Sequence, residues 1–205
     1  MFLTLFLSSL LTFMELNCEN LFDTRHDSLK NDLEFLPDGS YKWTPYRYWA
    51  KLNHLGQEIV AQSDPVPDFV AMCEVENDSV MFDLTKRSLL RNAGYEYVMT
   101  SSPDERGIDV ALLYQPASFA LLHSHSIRIK PLPDTRPTRD ILYASGLLIT
   151  GDTLHVFVVH APSRRGGEQA SRPYRLLVAS QLAEAVDSVY AISRDAKIII
   201  AGDFN

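Results

Sequence analysis

The chain has 205 residues, 46% of them hydrophobic and 22% charged, a balance that excludes a disordered or low-complexity polypeptide and fits one globular domain. Its formal net charge of -7 argues against a broad nucleic-acid-binding face, because phosphate backbones are held by local Lys and Arg, although it leaves room for a small basic patch. Two cysteines, Cys18 and Cys73, are too few for a disulfide scaffold and leave the redox compartment open.

The chain opens on the uncharged run MFLTLFLSSLLTF, too short to span a bilayer comfortably. It has the apolar character of a secretory leader, yet the first basic residue is Arg25 and no small-x-small cleavage site follows. Residues 1–12 therefore read either as a leader or as the approach to an apolar first strand. Export to the periplasm or exterior and a cytoplasmic location both stay open.

From residue 13 onward, short apolar runs alternate with helical stretches. Strands are expected at FMELNC (13–18), DFVAMCE (68–74), YEYVMT (95–100), IDVALLY (108–114), ILYASGLLI (141–149), LHVFVVH (154–160) and KIIIAGD (197–203). A first helix over about 47–62 places Trp49, Leu52, Gly56 and Ile59 on one face. A second is expected over about 78–93, stopped by Gly94, and a third over about 172–190 with Ser171 as N-cap and Pro173 in its first turn. Pro and Gly gather at 131–137 and 162–173, which read as surface loops. Consecutive strands between 95 and 160 favour a layered α/β arrangement with substantial antiparallel pairing over a doubly wound parallel sheet. There is no internal repeat and no linker, so residues 13–205 read as one domain.

Polar groups collect at the C-terminal ends of these strands. Asn17 and Glu19 end the first, Glu74 the second, His160 the sixth, and Asp203 with Asn205 the last. A rigid sheet edge pre-organises such groups, although each alone also suits a turn or a helix cap. Basic residues flank them: Arg164, Arg165, Arg172 and Arg175 against one Glu168, with Arg136 and Arg139 upstream. The ordinary reading of each arginine is a solvated loop; the sharper one puts Arg165 or Arg175 on a substrate phosphate. His123 and His125 share one face of a strand without a third metal-like neighbour in sequence, which reads as an exposed face before a zinc site. Cys18 and Cys73 alternate with Asn17 and Glu74, so they point into packing as buried thiols.

Five motifs then occur in order: LNCENLFD (16–23), CEVEN (73–77), RGIDVALLY (106–114), VVHAPSRRGGEQASRPYR (158–175) and AGDFN (201–205). Together they resemble the successive motifs of the endonuclease/exonuclease/phosphatase superfamily, which includes DNase I-like nucleases, abasic-site endonucleases, sphingomyelinases and inositol polyphosphate phosphatases. The resemblance implies a DNase I-like four-layered α/β sandwich, two mostly antiparallel sheets packed face to face with helices outside. It implies a Mg²⁺ ion, with Mn²⁺ as a substitute, held by Glu74 as principal ligand and by Asn17. Asp203 would act on the attacking water, Asn205 and His160 on the phosphate, and Asp109 matches an aspartate common to the family.

The chemistry suits these residue types. A phosphoester is an anion that repels hydroxide until its charge is neutralised, and Mg²⁺ prefers a few carboxylate and carbonyl oxygens with several waters retained. Asn205 supplies an N–H donor to charge developing on phosphate oxygens, and His160 a second donor, stronger if protonated. The expected activity is therefore metal-dependent phosphoester hydrolysis, on nucleic acid, a phospholipid headgroup or a sugar phosphate, with no protein partner evident. The alternative is a catalytically silent binding or scaffold protein that keeps the fold. Members of the superfamily finish with an Asp-His pair that does not occur here. The expectation is thus an N-terminal part of a longer protein, with the sheet partners of IIIAGDFN partly missing.

Overall fold

The computed structural model of the protein describes residues 10–133, 136–164 and 166–205. Among them, eight strands form two four-stranded sheets. The first holds β1 (Phe13–Leu21), β2 (Phe69–Val75), β4 (Asp109–Tyr114) and β3 (Glu96–Met99), in that order across the sheet. The second runs β5 (Phe119–Ile127), β6 (Ile141–Leu148), β7 (Thr153–His160) and β8 (Lys197–Asp203). Each sheet is antiparallel except at one edge, where β1 runs parallel to β2 and β8 parallel to β7.

Strand alternation divides the apolar side chains between layers. Phe69, Ala71 and Cys73 of β2 and Val110 and Leu112 of β4 meet Leu142, Ala144, Leu154, Val156 and Val158 of the second sheet in the central core. Their neighbours Val70, Met72, Ala111 and Leu113 face outward, onto helix α1 (Pro45–Ala61). On the far side, Ile141, Phe157 and Val159 face α3 (Glu168–Ile192) through Val178. Three apolar interfaces separate four layers, the expected DNase I-like sandwich. Both cysteines are buried and free, Cys18 under α1 and Cys73 between the sheets.

The helices differ from expectation in detail. Helix α1 begins where Thr44 caps the N–H of Arg47 and Pro45 occupies the first turn; its buried stripe is Tyr48, Leu52, Leu55, Gly56 and Ile59, with Trp49 only half-buried at its margin. The single helix expected over 78–93 is instead three pieces: α2 (Asp78–Phe82), a π-helical turn over Asp83–Arg87 and a 3-10 turn over Leu89–Asn92. The hydroxyls of Thr85 and Ser88 bond back to the carbonyls of Met81 and Leu84, and Ser88 caps the following turn, so side chains compete with the helical ladder. The third helix starts at Glu168 behind Gly167, so Ser171 is not its N-cap, Pro173 lies past its first turn, and half of the loop expected at 162–173 is helical. The Ser171 hydroxyl donates to the Gly167 carbonyl at 3.0 Å. Strand β5 was absent from the expected strands apart from its His123–His125 stretch. Its sequence FALLHSHSI passes from a short, partly exposed apolar start into Ser and His that face water, so its second half lacks a strand-like apolar pattern.

The last strand, expected as a central one, lies at the edge of its sheet among the described residues, paired only with β7. Ile200 and Phe204 are 42% and 53% exposed there.

Candidate active site

The site forms where β1, β2, β7 and β8 end together. In β2 the pairing with both neighbours slips between Cys73 and Val75, and Glu74 stands in the slip with φ of 62°. A bulge re-aims one side chain without disturbing the alternation on either side. It lets Cys73 and Val75 both stay in apolar cores while Glu74 turns to the cleft. Left-handed backbone at a glutamate is costly, of the order of 1 kcal/mol or more, and persists where surrounding contacts over-determine it. Here the Asn20 N–H donates to Glu74 Oε2 at 2.8 Å, and Glu19 and Asn20 are themselves left-handed, at φ of 49° and 63°. Glu74 is thus a held, largely buried carboxylate, its side chain 14% exposed.

On the second sheet, His160 and Asp203 are register partners at the ends of β7 and β8. Gly202 permits this: its φ is 119°, and a Cβ there would lie 1.9 Å from the Val159 carbonyl oxygen. Asp203 is gripped from both sides. Its Oδ2 accepts from Asn17 Nδ2 at 3.0 Å, its Oδ1 from the Asn205 N–H at 2.9 Å. The amide of Asn205 donates in turn to the Ala161 carbonyl at 3.1 Å. Asn17 therefore bridges the two sheets, its own Oδ1 accepting from the Glu19 N–H at 2.9 Å. Glu15, two residues earlier on β1, has its carboxyl raised by desolvation and by the charge of Asp203.

His160 is buried, 5% exposed, with Nε2 at 3.7 Å from Glu74 Oε1. Burial pushes its pKa down to about 3, helped by the nearby Arg139 and opposed by Asp203. The shift favours the neutral ring, which still donates from one nitrogen; the extra strength expected if it were protonated is disfavoured by burial. Its Nδ1 is buried and has no hydrogen-bond partner among the described residues.

Glu74, His160, Asp203 and Asn205 line a cleft of about 580 Å³ with Asp104, Arg106, Arg136, Thr138, Arg139 and Tyr174, while Asn17 stands behind it and reaches the site through Asp203. Arg139 corrects the reading of the upstream arginines as solvated: it is 8% exposed, and its Nη2 donates to the carbonyls of His160 and Ala161 at 3.1 and 2.8 Å. Its Nη1 lies 3.5 Å from Asp104 Oδ2. The loop that carries Asp104 is pinned from behind by Lys30, whose Nζ donates to the Ser102 and Asp104 carbonyls at 2.9 Å each. Arg139 stood out in the sequence only as one basic residue among several and Lys30 not at all, since both join the site through contacts 21 to 74 residues away.

Other expected residues stand further back. Asp109 is buried beneath the loop, where its Oδ1 accepts from the Thr100 hydroxyl and the Ser102 N–H at 2.5 and 2.9 Å; burial raises its carboxyl. It shapes the 100–104 loop and does not line the cleft. Arg175 approaches the Asn205 carbonyl at 3.4 Å and Glu168 at 3.9 Å, outside the cleft lining, and Arg164 approaches the same carbonyl at 3.2 Å. Arg165 lies outside the described residues.

With this fold and cleft in view, the comparisons with known proteins are consistent. The model of the Endonuclease/Exonuclease/phosphatase family matches residues 12–205, nearly the whole chain. The chain belongs to that family, a class of phosphoester hydrolases. Among solved structures, the human Nocturnin catalytic domain with bound sulfate superposes with a TM-score of 0.65 at 18% identity, over 95% of this chain and 64% of that one. A Bacteroides thetaiotaomicron mannosyl-6-phosphatase gives 0.65 at 18% identity, over 95% and 65%. D. rerio TDP2 humanized by 14 mutations gives 0.61 at 19%, over 95% and 62%. The chain thus spans less than two thirds of the length of these structures, and at such identities they establish the fold alone. None of the curated proteins matches the chain.

Proposed function

We propose that the protein is a divalent-metal-dependent phosphoesterase, with Mg²⁺ as its metal and Mn²⁺ as a substitute. The observation that carries this reading is the convergence of a bulge-held Glu74 from one sheet with His160, Asp203 and Asn205 from the other in a single polar cleft.

The donor set fits an open cation site. Glu74 Oε2 is engaged by Asn20, while Oε1 has no hydrogen-bond donor within 3.5 Å among the described residues and meets only His160 at 3.7 Å. Asn17 Oδ1 keeps a second lone pair beyond its bond to Glu19. The Glu15–Asp203 pair adds negative potential. Among the described residues no group of three His, Cys, Asp or Glu side chains could hold a metal ion; the reading rests on one carboxylate and one amide, and Mg²⁺ keeps most of its waters. Glu74 and Asn17 would hold it, and when bound it would neutralise phosphoryl charge.

The chain's own groups do the rest. Asp203, with both oxygens fixed by amides, is positioned to take the proton of an attacking water. The second N–H of the Asn205 amide is free to donate to a phosphoryl oxygen. His160, neutral, donates from one ring nitrogen without adding charge. The substrate class is a phosphodiester or phosphomonoester: nucleic acid, sugar phosphate or phospholipid headgroup. The solved complex of D. rerio TDP2 with a single-strand DNA product and the mannosyl-6-phosphatase span much of that range.

Hydrolysis of bis-(p-nitrophenyl) phosphate by the purified protein, titrated with Mg²⁺ and stopped with EDTA, tests the reading. Glu74→Gln is expected to lower turnover by roughly 10³-fold, the scale for losing a group that stabilises transition-state charge. Undiminished turnover in that variant would overturn the metal assignment. Wild-type protein inert with every divalent metal would favour a silent binding role.

A further inference from the structure

The lining of the cleft holds donors that nothing among the described residues satisfies. Arg139 is buried to more than nine tenths, yet its Nε has no hydrogen-bond partner among the described residues. The hydroxyl of Thr138, the preceding residue, is likewise buried and unpartnered, and both residues line the cleft. Burial lowers its pKa, and the charges of Asp104, at 3.5 Å from Nη1, and of Glu74 oppose that shift. A buried guanidinium with a spare donor is costly unless an acceptor completes it. The two carbonyls that Arg139 does engage belong to His160 and Ala161, so its position is tied to the strand end that carries the site.

We propose that Thr138 and Arg139 form an anion seat that receives a non-bridging oxygen of the substrate phosphoryl group in the cleft lined by Glu74. The inference rests on the phosphoesterase reading and adds the residues that recognise the phosphoryl group itself. The seat is built from a fork whose Nη2 is spent on backbone, leaving Nε and the Thr138 hydroxyl to grip one tetrahedral anion. Arg106 and Arg136 also line the cleft, each within 4 Å of a carboxylate, Asp104 and Glu105 respectively. Lysine is a poor substitute, because its single charged nitrogen lacks the planar fork that fixes Nη2 on two carbonyls while Nε, on the other side of the guanidinium, stays available.

The probe is inorganic phosphate, read in two ways: as a competitive inhibitor of bis-(p-nitrophenyl) phosphate hydrolysis, and by broadening of its ³¹P resonance on binding. Arg139→Lys should raise the phosphate inhibition constant about tenfold or more, one good charge-assisted contact. Thr138→Val should raise it several-fold while leaving the melting temperature equal or higher, because it removes a buried unpaired hydroxyl. If Arg139→Lys fails to fold, Thr138→Val decides alone. Addition of guanidinium chloride to Arg139→Ala should restore part of the phosphate affinity, which a purely structural arginine would not show. Folded variants that bind phosphate like wild type would overturn the seat while leaving the phosphoesterase reading intact. Wild-type protein that broadens the phosphate line but hydrolyses nothing would overturn that reading, and loss of broadening in Thr138→Val would still support the seat.

Discussion

The two ends of the sandwich carry cavities of similar size, and they are chemically opposite. The cleft at the strand ends of β2, β7 and β8 measures about 580 Å³; a second cavity, at the far end between the β6–β7 hairpin and the close of α3, measures about 470 Å³. In the far cavity the polar groups answer one another. Tyr143 Oη meets His155 Nδ1 at 2.7 Å, and Lys197 pairs with Asp152 at 2.9 Å. In the cleft, Thr138 Oγ1, Arg139 Nε and His160 Nδ1 are buried without hydrogen-bond partners among the described residues, and Glu74 and Asn205 hold left-handed backbone. Volume does not distinguish the two ends. Unmet hydrogen bonds and strained backbone do, because a fold tolerates such costs where a ligand repays them.

The sharpest test of this contrast is His160. Its replacement by Ala is expected to lower kcat by roughly 10²–10⁴-fold, the range for a positioned donor or acid–base group, with metal affinity almost unchanged. A variant that loses the fold but keeps normal specific activity in its folded fraction would make His160 a core residue. Next comes Gly202→Ala, where the added Cβ meets the Val159 carbonyl and must push β8 from β7. A loss of about 3 kcal/mol or more is expected in urea melts, with Asp203 displaced and activity lost together.

Two buried groups at the cleft end should write opposite pH dependences on stability. His160 is neutral when folded down to about pH 3 but protonates near 6.5 when unfolded, so stability is complete above 6.5 and falls as the pH drops toward 3. Glu76, buried just past the bulge with its pKa pushed up to about 8 by burial, stays protonated when folded while the unfolded chain ionises near 4.5. Its contribution is therefore complete below 4.5 and is lost as pH rises toward 8. In EDTA, Glu76→Gln should raise the melting temperature at pH 8, by about 2–4 °C for each kcal/mol recovered, and should do little at pH 4. His160→Gln should flatten the acid limb. A Glu76→Gln gain equal at both pH values would show that its charge is not at issue. The smallest effect belongs to the far cavity. Tyr143→Phe should cost about 1 kcal/mol of stability and leave phosphoesterase turnover within twofold, since it breaks one ordinary hydrogen bond away from the cleft. A large loss of turnover would erase the distinction between the two ends.

Much of this was legible in the chain. Short Val- and Ile-rich runs placed seven of the strands, since alternation between two apolar interfaces leaves a periodic trace. The ordered motifs named the family, and Glu74, His160, Asp203 and Asn205 could be singled out because they follow apolar runs at strand ends. Strand β5 was less visible because its apolar start, FALL, is short and gives way to exposed Ser and His. The breaks within 78–92 and the early start of α3 were decided by hydroxyl-to-carbonyl bonds and by Gly167, which act below the resolution of a periodicity. Tertiary structure alone decided the rest. Strand position marked Glu74 as a site residue, but the bulge turned it into the cleft; two β strands from different sheets brought Asn17 onto Asp203; and burial, a property of everything around a residue, made His160 neutral and Arg139 an interior cation. Sequence specifies which groups are available at the strand ends; their protonation, pairing and debts are set by neighbours that lie 21 to 186 residues away.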